Sequence, residues 1–253
     1  MTFNFEDKVV LVTGGTRGIG KAISLAFGKA KAKVAMVYYS NEVEAQKTQI
    51  EMRDMEHHII RCDVSKPEEV RKMVKDVALK YGQIDILINN AGVYIPHEID
   101  KIPYNEWQYK WSKTIDINLT APANICFCVA NYMILQGSGK IINITSRGAY
   151  RGEPNHPAYG AAKAGLNSLT QSLAKKLAPK NIFVAALAPG FVDTDMAFPY
   201  LHGDESTEIL AQSPLNRAAE PIEIANAVLF LSSKGIGYMT GSIVDMNGAS
   251  HFR

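Results

Sequence analysis

The sequence is poor in most of the features that mark a specialised protein. Cys62, Cys126 and Cys128 are its only cysteines in 253 residues. An odd number, without a metal-ligand spacing, excludes a disulfide framework and a zinc cage. They read as buried thiols in a reducing compartment, so a cytoplasmic location is expected. No block of one charge stands out. Lys and Arg total 27 against 25 acidic residues, a formal net charge of +2, which excludes the dense basic surface of a nucleic-acid binder. The start, Met1 to Asp7, has neither a basic region nor an apolar core, so no signal peptide is read. No apolar run reaches the length of a membrane span, and no membrane partner is expected. The histidines at 57, 58, 97, 156, 202 and 251 lack a ligand spacing, so no metal is expected. No Ser-His-Asp order stands at a nucleophile elbow. Internal repeats, low-complexity segments and linkers are missing too.

What the chain does have is a regular alternation. Short β-branched runs occupy Val9–Thr13, Val34–Tyr39, His58–Arg61, Ile84–Asn89, Lys140–Thr145, Phe183–Ala188 and Ser242–Asp245. Their nearly continuous apolar character suits strands covered on both faces. Between them lie helix-like stretches such as Gly20–Lys29, Pro67–Tyr81, Trp107–Leu135 and Tyr159–Leu177. Repeated βα alternation predicts an α/β fold: a Rossmann-type, doubly wound parallel sheet of about seven strands with helices on both faces. One domain over 1–253 is expected. Its dinucleotide-binding part would cover roughly 1–140, its catalytic and substrate-loop part roughly 141–253. The longest irregular stretch, from Pro189 to Asn216, reads as a lid. Ligands of such folds bind at the carboxyl ends of the strands.

Two constellations lie at those ends. The first strand runs into Thr13-Gly-Gly-Thr-Arg-Gly-Ile-Gly20, followed by a helix. A glycine turn lets backbone approach a pyrophosphate, and the helix N-terminus offers free N–H groups and the positive end of its dipole. Gly14, Thr16, Arg17, Gly18, Ile19 and Gly20 are therefore candidate phosphate contacts. The second constellation is Tyr159 and Lys163, which share a helix face at i, i+4. An ammonium beside a phenol lowers its pKa from the ordinary value of about 10 toward neutrality. Ser146 ends an apolar strand 13 residues before Tyr159, where its hydroxyl can hold a carbonyl oxygen. Each piece has a plainer alternative: a tight turn, a surface Tyr-Lys pair, a turn-capping serine.

Taken in order, these motifs resemble the short-chain dehydrogenase/reductase family. Further residues carry the resemblance: Asn89-Asn-Ala-Gly92 after the fourth strand, Asn118, and Pro189-Gly-Phe-Val-Asp-Thr194 after the sixth. It spans about residues 8 to 250. It implies a nicotinamide dinucleotide cofactor and hydride transfer to a carbonyl or from an alcohol. By resemblance Asn118, Ser146, Tyr159 and Lys163 are catalytic, with Lys163 also on the nicotinamide ribose and Asn118 holding a relay water. Asn90, Ala91, Gly92, Pro189, Gly190, Val192 and Thr194 would contact the cofactor. Asp63 and Val64 would meet the adenine, with a helix N-cap as the alternative for Asp63.

The second strand ends Val37-Tyr-Tyr-Ser-Asn41, without the acid that would bind an NAD ribose. Arg17 sits where NADP-preferring members of the family carry a basic residue, and its guanidinium could clamp a 2′-phosphate. Tyr39, Ser40 and Asn41 would complete that end. NADP(H) is the expected cofactor, and the expected direction is reduction.

Within the family the chain most resembles 3-oxoacyl-acyl-carrier-protein reductases. The residues are Pro189 to Met196, Ile209 to Pro214 with Arg217, Glu223 to Val228, and Thr240-Gly-Ser242. The resemblance implies an acyl thioester or small-molecule substrate, an acyl carrier protein as partner and a homotetramer, with Trp107–Leu135 and Tyr159–Leu177 as interface candidates. Two departures stand against it. The turn Leu135 to Gly139 carries no charge for an acidic carrier, leaving Lys175, Lys176 and Lys180 as candidate contacts. Arg147, Tyr150, Arg151 and Glu153 put charge beside Ser146, where a plain acyl channel needs none. They could pair with one another or select a polar substrate. The alternatives are therefore a dehydrogenase of another polar substrate (a sugar, a diketone or another secondary alcohol) or a non-catalytic NADP sensor.

Overall fold

The computed structural model describes residues 3–204 and 206–253. The chain alternates β1 (Val9–Thr13), α1 (Gly18–Lys29), β2 (Lys33–Tyr38), α2 (Glu42–Glu51), β3 (His57–Arg61), α3 (Pro67–Tyr81) and β4 (Ile86–Asn89). Then come α4 (Tyr104–Ile115), a π-helical turn (Asp116–Thr120), α5 (Ala121–Gln136), β5 (Gly139–Ile144), α6 (Gly148–Arg151) and α7 (Pro157–Leu177). The last part holds β6 (Ile182–Pro189), α8 (Phe198–Leu201), α9 (Ser206–Ala211), α10 (Pro221–Ser232) and β7 (Ile243–Met246). All seven strands are parallel, in the order β3-β2-β1-β4-β5-β6-β7. The expected Rossmann-type, doubly wound sheet is borne out.

β1, β4 and β6 are buried along their whole length, because helices cover both faces. One apolar layer sets Ile23 and Phe27 of α1, with Val228 of α10, against Val10, Val12, Ile88 and Leu187. The opposite layer sets Val74 of α3, Ile125 and Met133 of α5 and Ala174 of α7 against Leu11, Leu87, Ile141 and Val184. Each such fully buried aliphatic or aromatic side chain stabilises the fold by about 1.5–3 kcal/mol. Chain direction reverses its progress across the sheet between β1 and β4. The helices leaving those two strands diverge there and open a crevice at the strands' carboxyl ends.

Three element boundaries differ from the expected ones for identifiable reasons. β4 starts at Ile86, not Ile84: the Asp85 carboxylate takes the Val9 N–H at 2.9 Å and Lys8 Nζ at 2.8 Å, and the Ile84 N–H goes to the Gln136 side chain at 3.0 Å. The single helix expected over Trp107–Leu135 is α4 and α5 joined by the π turn. Pro122 has no N–H, so the Asn118 carbonyl four residues earlier lacks its α-helical donor and the ladder must re-register. The stretch from Pro189 to Asn216 is not wholly irregular: it holds the short α8 and α9, and Val192 bridges to Ala219. The helical stretch from Tyr104 to Gln136 is long and apolar enough to cross a membrane by length and composition alone. Its apolar residues Ile125, Val129 and Met133 are buried in the core.

Candidate active site

The crevice is one cavity of about 810 Å³ along the carboxyl edge of the sheet, from the glycine turn to α7 and the lid. At its nucleotide end Gly14 and Gly18 hold positive φ angles of 60° and 51°. A side chain at Gly20 would fall onto the Gly14 carbonyl and 2.6 Å from Asn90 Nδ2. Only glycine lets α1 begin so close beneath the turn. The first turn of α1 carries no acidic residue, and Arg17 at its N-cap makes no side-chain cap. Its N–H groups and positive dipole are thus left for an anion. Thr13 locks the two sides of the crevice together, because its Oγ1 accepts from the N–H groups of Asn90 and Ala91, both at 3.0 Å. The Thr48 hydroxyl donates to the Thr16 carbonyl at 2.8 Å and pins α2 to the same turn.

Gly14, Thr16, Arg17, Gly18 and Ile19 all line this end, with Tyr39, Ser40, Asn41, Asp63 and Val64 beyond them. Arg17 is exposed there, and no carboxylate follows β2 until Glu42. Asn41 is partly committed, because its Oδ1 caps α2 by accepting from Glu44 N at 3.1 Å. Asp63 is not the N-cap of α3, which is Lys66. Its carboxylate instead closes a turn, accepting from Ser65 N at 3.0 Å and Ser65 Oγ at 2.7 Å. Gly20 lies under the turn and does not line the cavity.

At the other end Ser146, Tyr159 and Lys163 line the cavity with Asn90, Ala91, Gly92, Pro189, Gly190, Val192 and Thr194. β5 delivers Ser146 at its carboxyl end, and Pro157 starts α7 so that Tyr159 and Lys163 fall in its first two turns. Ser146 Oγ accepts from Gly148 N at 3.0 Å, so it does cap the turn, and its one proton faces Tyr159. Lys163 is buried and gives one of its three N–H donors to the Ile144 carbonyl at 2.8 Å. Burial pulls its ammonium down to about 8. Burial pushes the Tyr159 hydroxyl up to about 12, against a hydrogen bond with Ser146 that lowers it. This departs from the expected lowering: the ammonium lies 5.6 Å from the centre of the Tyr159 ring, and desolvation outweighs its pull.

Asn118 sits one layer back, in the π turn. Its amide is used on both sides by Val93, accepting from N at 2.9 Å and donating to O at 2.8 Å. It thereby fixes the loop that carries Gly92 against Lys163. Asn118 itself does not line the cavity.

Sequence reading missed Tyr94, which lies two residues after the Asn-Asn-Ala-Gly motif and lines the cavity. Its ring stacks on His156 at 3.5 Å and meets Tyr159 edge-on at 4.8 Å. His156 is buried, bonds Tyr200 Oη at 3.0 Å and is pulled down to about 4 by burial, so it is neutral at pH 7. It braces Tyr94 and the lid and does not line the cavity. The charged run after Ser146 pairs only in part with itself: Arg151 lies 3.8 Å from Glu153, whereas Tyr150 stacks under the C-terminal Arg253. Lys175 and Lys176 stand in the last turn of α7. That is about 24 Å along the helix from Tyr159, at 1.5 Å per residue, and they line no part of this cavity.

Residues 14–251 match the family model described as Enoyl-(Acyl carrier protein) reductase. The chain is 37% identical over 247 residues to a 3-oxoacyl-[acyl-carrier-protein] reductase FabG of Staphylococcus epidermidis, covering 97% of this chain and 99% of that protein. It is also 37% identical over 244 residues to the protein of the same name from Chlamydia trachomatis, covering 96% of each. A crystal structure of a dehydrogenase/reductase from Sinorhizobium meliloti superposes with a TM-score of 0.91 at 28% identity, covering 99% of this chain and 98% of that one.

Proposed function

Because the chain belongs to the short-chain dehydrogenase/reductase family, we propose that this oxidoreductase uses NADP(H) to reduce a carbonyl to a secondary alcohol. The favoured substrate class is a 3-oxoacyl thioester, in keeping with the names of its relatives. The observation that carries the reading is the cavity itself, with an uncapped helix N-terminus and Arg17 at one end and Ser146, Tyr159 and Lys163 together at the other. The glycine turn, with Gly14 and Gly18 at positive φ and α1 starting directly beneath it, fits a pyrophosphate.

A bound reduced nicotinamide supplies the hydride. The chain's own residues do the rest. Ser146 turns its hydroxyl proton from Tyr159 to the substrate oxygen and fixes the carbonyl at Tyr159. Tyr159 donates the proton that the developing alkoxide needs. Lys163, with two N–H donors unspent, holds the ribose and passes a proton toward Tyr159. The water held near Asn118 links that lysine to solvent. In the reducing direction both Tyr159 and Lys163 must be protonated. With Tyr159 near 12 and Lys163 near 8, kcat/KM should be level at low pH and fall as pH rises through about 8. A profile that instead rises through pH 8 contradicts this assignment.

NADPH should exceed NADH in kcat/KM by about 10- to 100-fold, the worth of a charge-assisted bond from Arg17 to a 2′-phosphate. The decisive assay is NADPH consumption with 3-oxoacyl thioesters, an enoyl thioester, sugars and diketones. A clear NADH preference would overturn the cofactor, and silence across the panel despite tight NADPH binding would favour a sensor. A homotetramer is proposed, supported by Phe127 and Leu135, which stand exposed on α5. An acyl carrier protein remains the proposed substrate carrier, with Lys175, Lys176 and Lys180 as its candidate contacts away from the cavity. A cytoplasmic location goes with this reading.

A further inference from the structure

Arg147 follows the catalytic-site serine directly, lines the same cavity and is only 4% exposed. Among the described residues no carboxylate lies within ion-pair distance of it. Its guanidinium has one hydrogen-bond acceptor, Gln212 Oε1 at 2.6 Å, and that neutral oxygen is shared with a second cation, Arg151, at 2.8 Å. The nearest acid, Glu153, is already committed. One of its oxygens accepts from Tyr94 Oη at 2.9 Å, and the other faces Arg151 at 3.8 Å. Two guanidinium groups thus share one carboxylate, which leaves the trio with one net positive charge, and the more buried guanidinium is the one without a direct ion pair.

A buried charge without a partner is costly, and a hydrogen bond to a neutral amide does not neutralise it. Burial, and then the neighbouring Arg151, pull Arg147 down to about 10, so it keeps its charge at neutral pH. The group is also held in place: the Phe191 ring lies under it at 5.1 Å, and the Arg147 N–H donates to the Pro189 carbonyl at 3.0 Å. Phe191, Met196, Tyr94 and Tyr200 make much of the remaining wall of this end apolar or neutral, with the carboxylates of Glu153, already held by Tyr94, and Asp195 in the same lining. Proton and hydride transfer at Ser146 and Tyr159 require no cation there. A Gln212 tether alone would be served as well by a neutral donor.

We propose that Arg147 recognises the substrate, and that the carbonyl compound reduced here carries a carboxylate that pairs with this guanidinium. The inference rests on the carbonyl-reductase reading and not on the 3-oxoacyl thioester favoured above, because a thioester's own carbonyl carries no charge and the carboxylate must stand elsewhere on the ketone. A carboxylate is favoured because its two oxygens match the guanidinium fork, and because one uncompensated positive charge, with Glu153 close by, suits a monoanion. Binding would supply the missing counter-charge and place the keto group at the adjacent Ser146.

The test is calorimetric titration of the NADP⁺-bound enzyme with acetoacetate, levulinate and 5-oxohexanoate, each beside its uncharged methyl ester. At least one acid should bind about 100-fold tighter than its ester, the size of effect expected for a desolvated charge pair. Arg147→Gln should bring that pair within about threefold by weakening the acid, and Arg147→Lys should keep part of the difference. The affinity for NADP⁺ serves as the folding control. If every ester binds like its acid, or if Arg147→Gln discriminates like the native chain, the inference is wrong. The native acid–ester comparison decides even if Arg147→Gln fails to fold. NADPH oxidation with the same ketones separates the two readings. Acid-selective binding without turnover overturns the reductase reading alone, and equal turnover of acid and ester overturns the role of Arg147 alone.

Discussion

Tyr159→Phe should lower kcat/KM for carbonyl reduction by about 10³-fold, within the range that a positioned general acid contributes. The change removes one oxygen and leaves the ring. The edge-on contact with Tyr94 at 4.8 Å and the place of Lys163 over that ring therefore persist. Nothing at the glycine turn is touched, so the dissociation constant of NADPH, read from its fluorescence, should stay within about twofold of native, an insignificant change on the scale of tenfold per 1.4 kcal/mol. The melting temperature should hold as well, because the hydroxyl's one named partner, Ser146, keeps its bond to Gly148 N. The loss therefore belongs to kcat. Near-native turnover in this variant would remove Tyr159 from the reaction as its proton donor. His156 could not replace it, since it is buried behind Tyr94 and neutral at working pH.

Why so much of this was legible in the sequence can be argued residue by residue. Strands covered on both faces must be apolar throughout, so β1, β4 and β6 announce themselves as short unbroken runs. The turn at Gly14 is readable because few residues other than glycine tolerate its φ of 60°. Ser146 and Tyr159 were findable because a strand end and a helix start bring them to one edge, whatever the details of packing. What stayed hidden depends on side chains meeting across loops. Tyr94 lies in a loop with no periodicity, and only its stacking on His156 places it beside Tyr159. The same holds for Arg147. The sequence showed charge after Ser146 but not which charges would pair. Glu153 is held by Tyr94, and both guanidinium groups by Gln212, each from a distant segment. The shift of Tyr159 is a third case. The i, i+4 spacing put an ammonium near the phenol, while the depth of burial that outweighs it came from the whole fold.

Gly20→Ala should produce the largest loss that leaves the chemistry itself untouched. The added methyl would fall onto the Gly14 carbonyl oxygen and 2.6 Å from Asn90 Nδ2. Neither neighbour is the free end of a flexible side chain. The Gly14 carbonyl and the Thr13 carbonyl both accept from Asn90 Nδ2, at 3.1 and 2.9 Å, so the turn and the loop after β4 are tied together at the point of collision. Relief requires α1 to draw back from the turn, which overpacks the layer that Ile23 and Phe27 fill against the sheet. Overpacking of this kind costs about 1–3 kcal/mol, and a chain of this size loses about 2–4 °C in Tm per kcal/mol. Drawing α1 back also takes its first N–H groups and its dipole away from the phosphates, so NADPH affinity should fall by about 100-fold, equivalent to two or so charge-assisted bonds. The two effects have separate readouts: melting without ligand reports the packing cost, and NADPH titration below that temperature reports the cradle. A Gly20→Ala variant that melts normally and binds NADPH with native affinity would mean that α1 does not start where the cradle requires it, and the proposed cofactor site would fail with it.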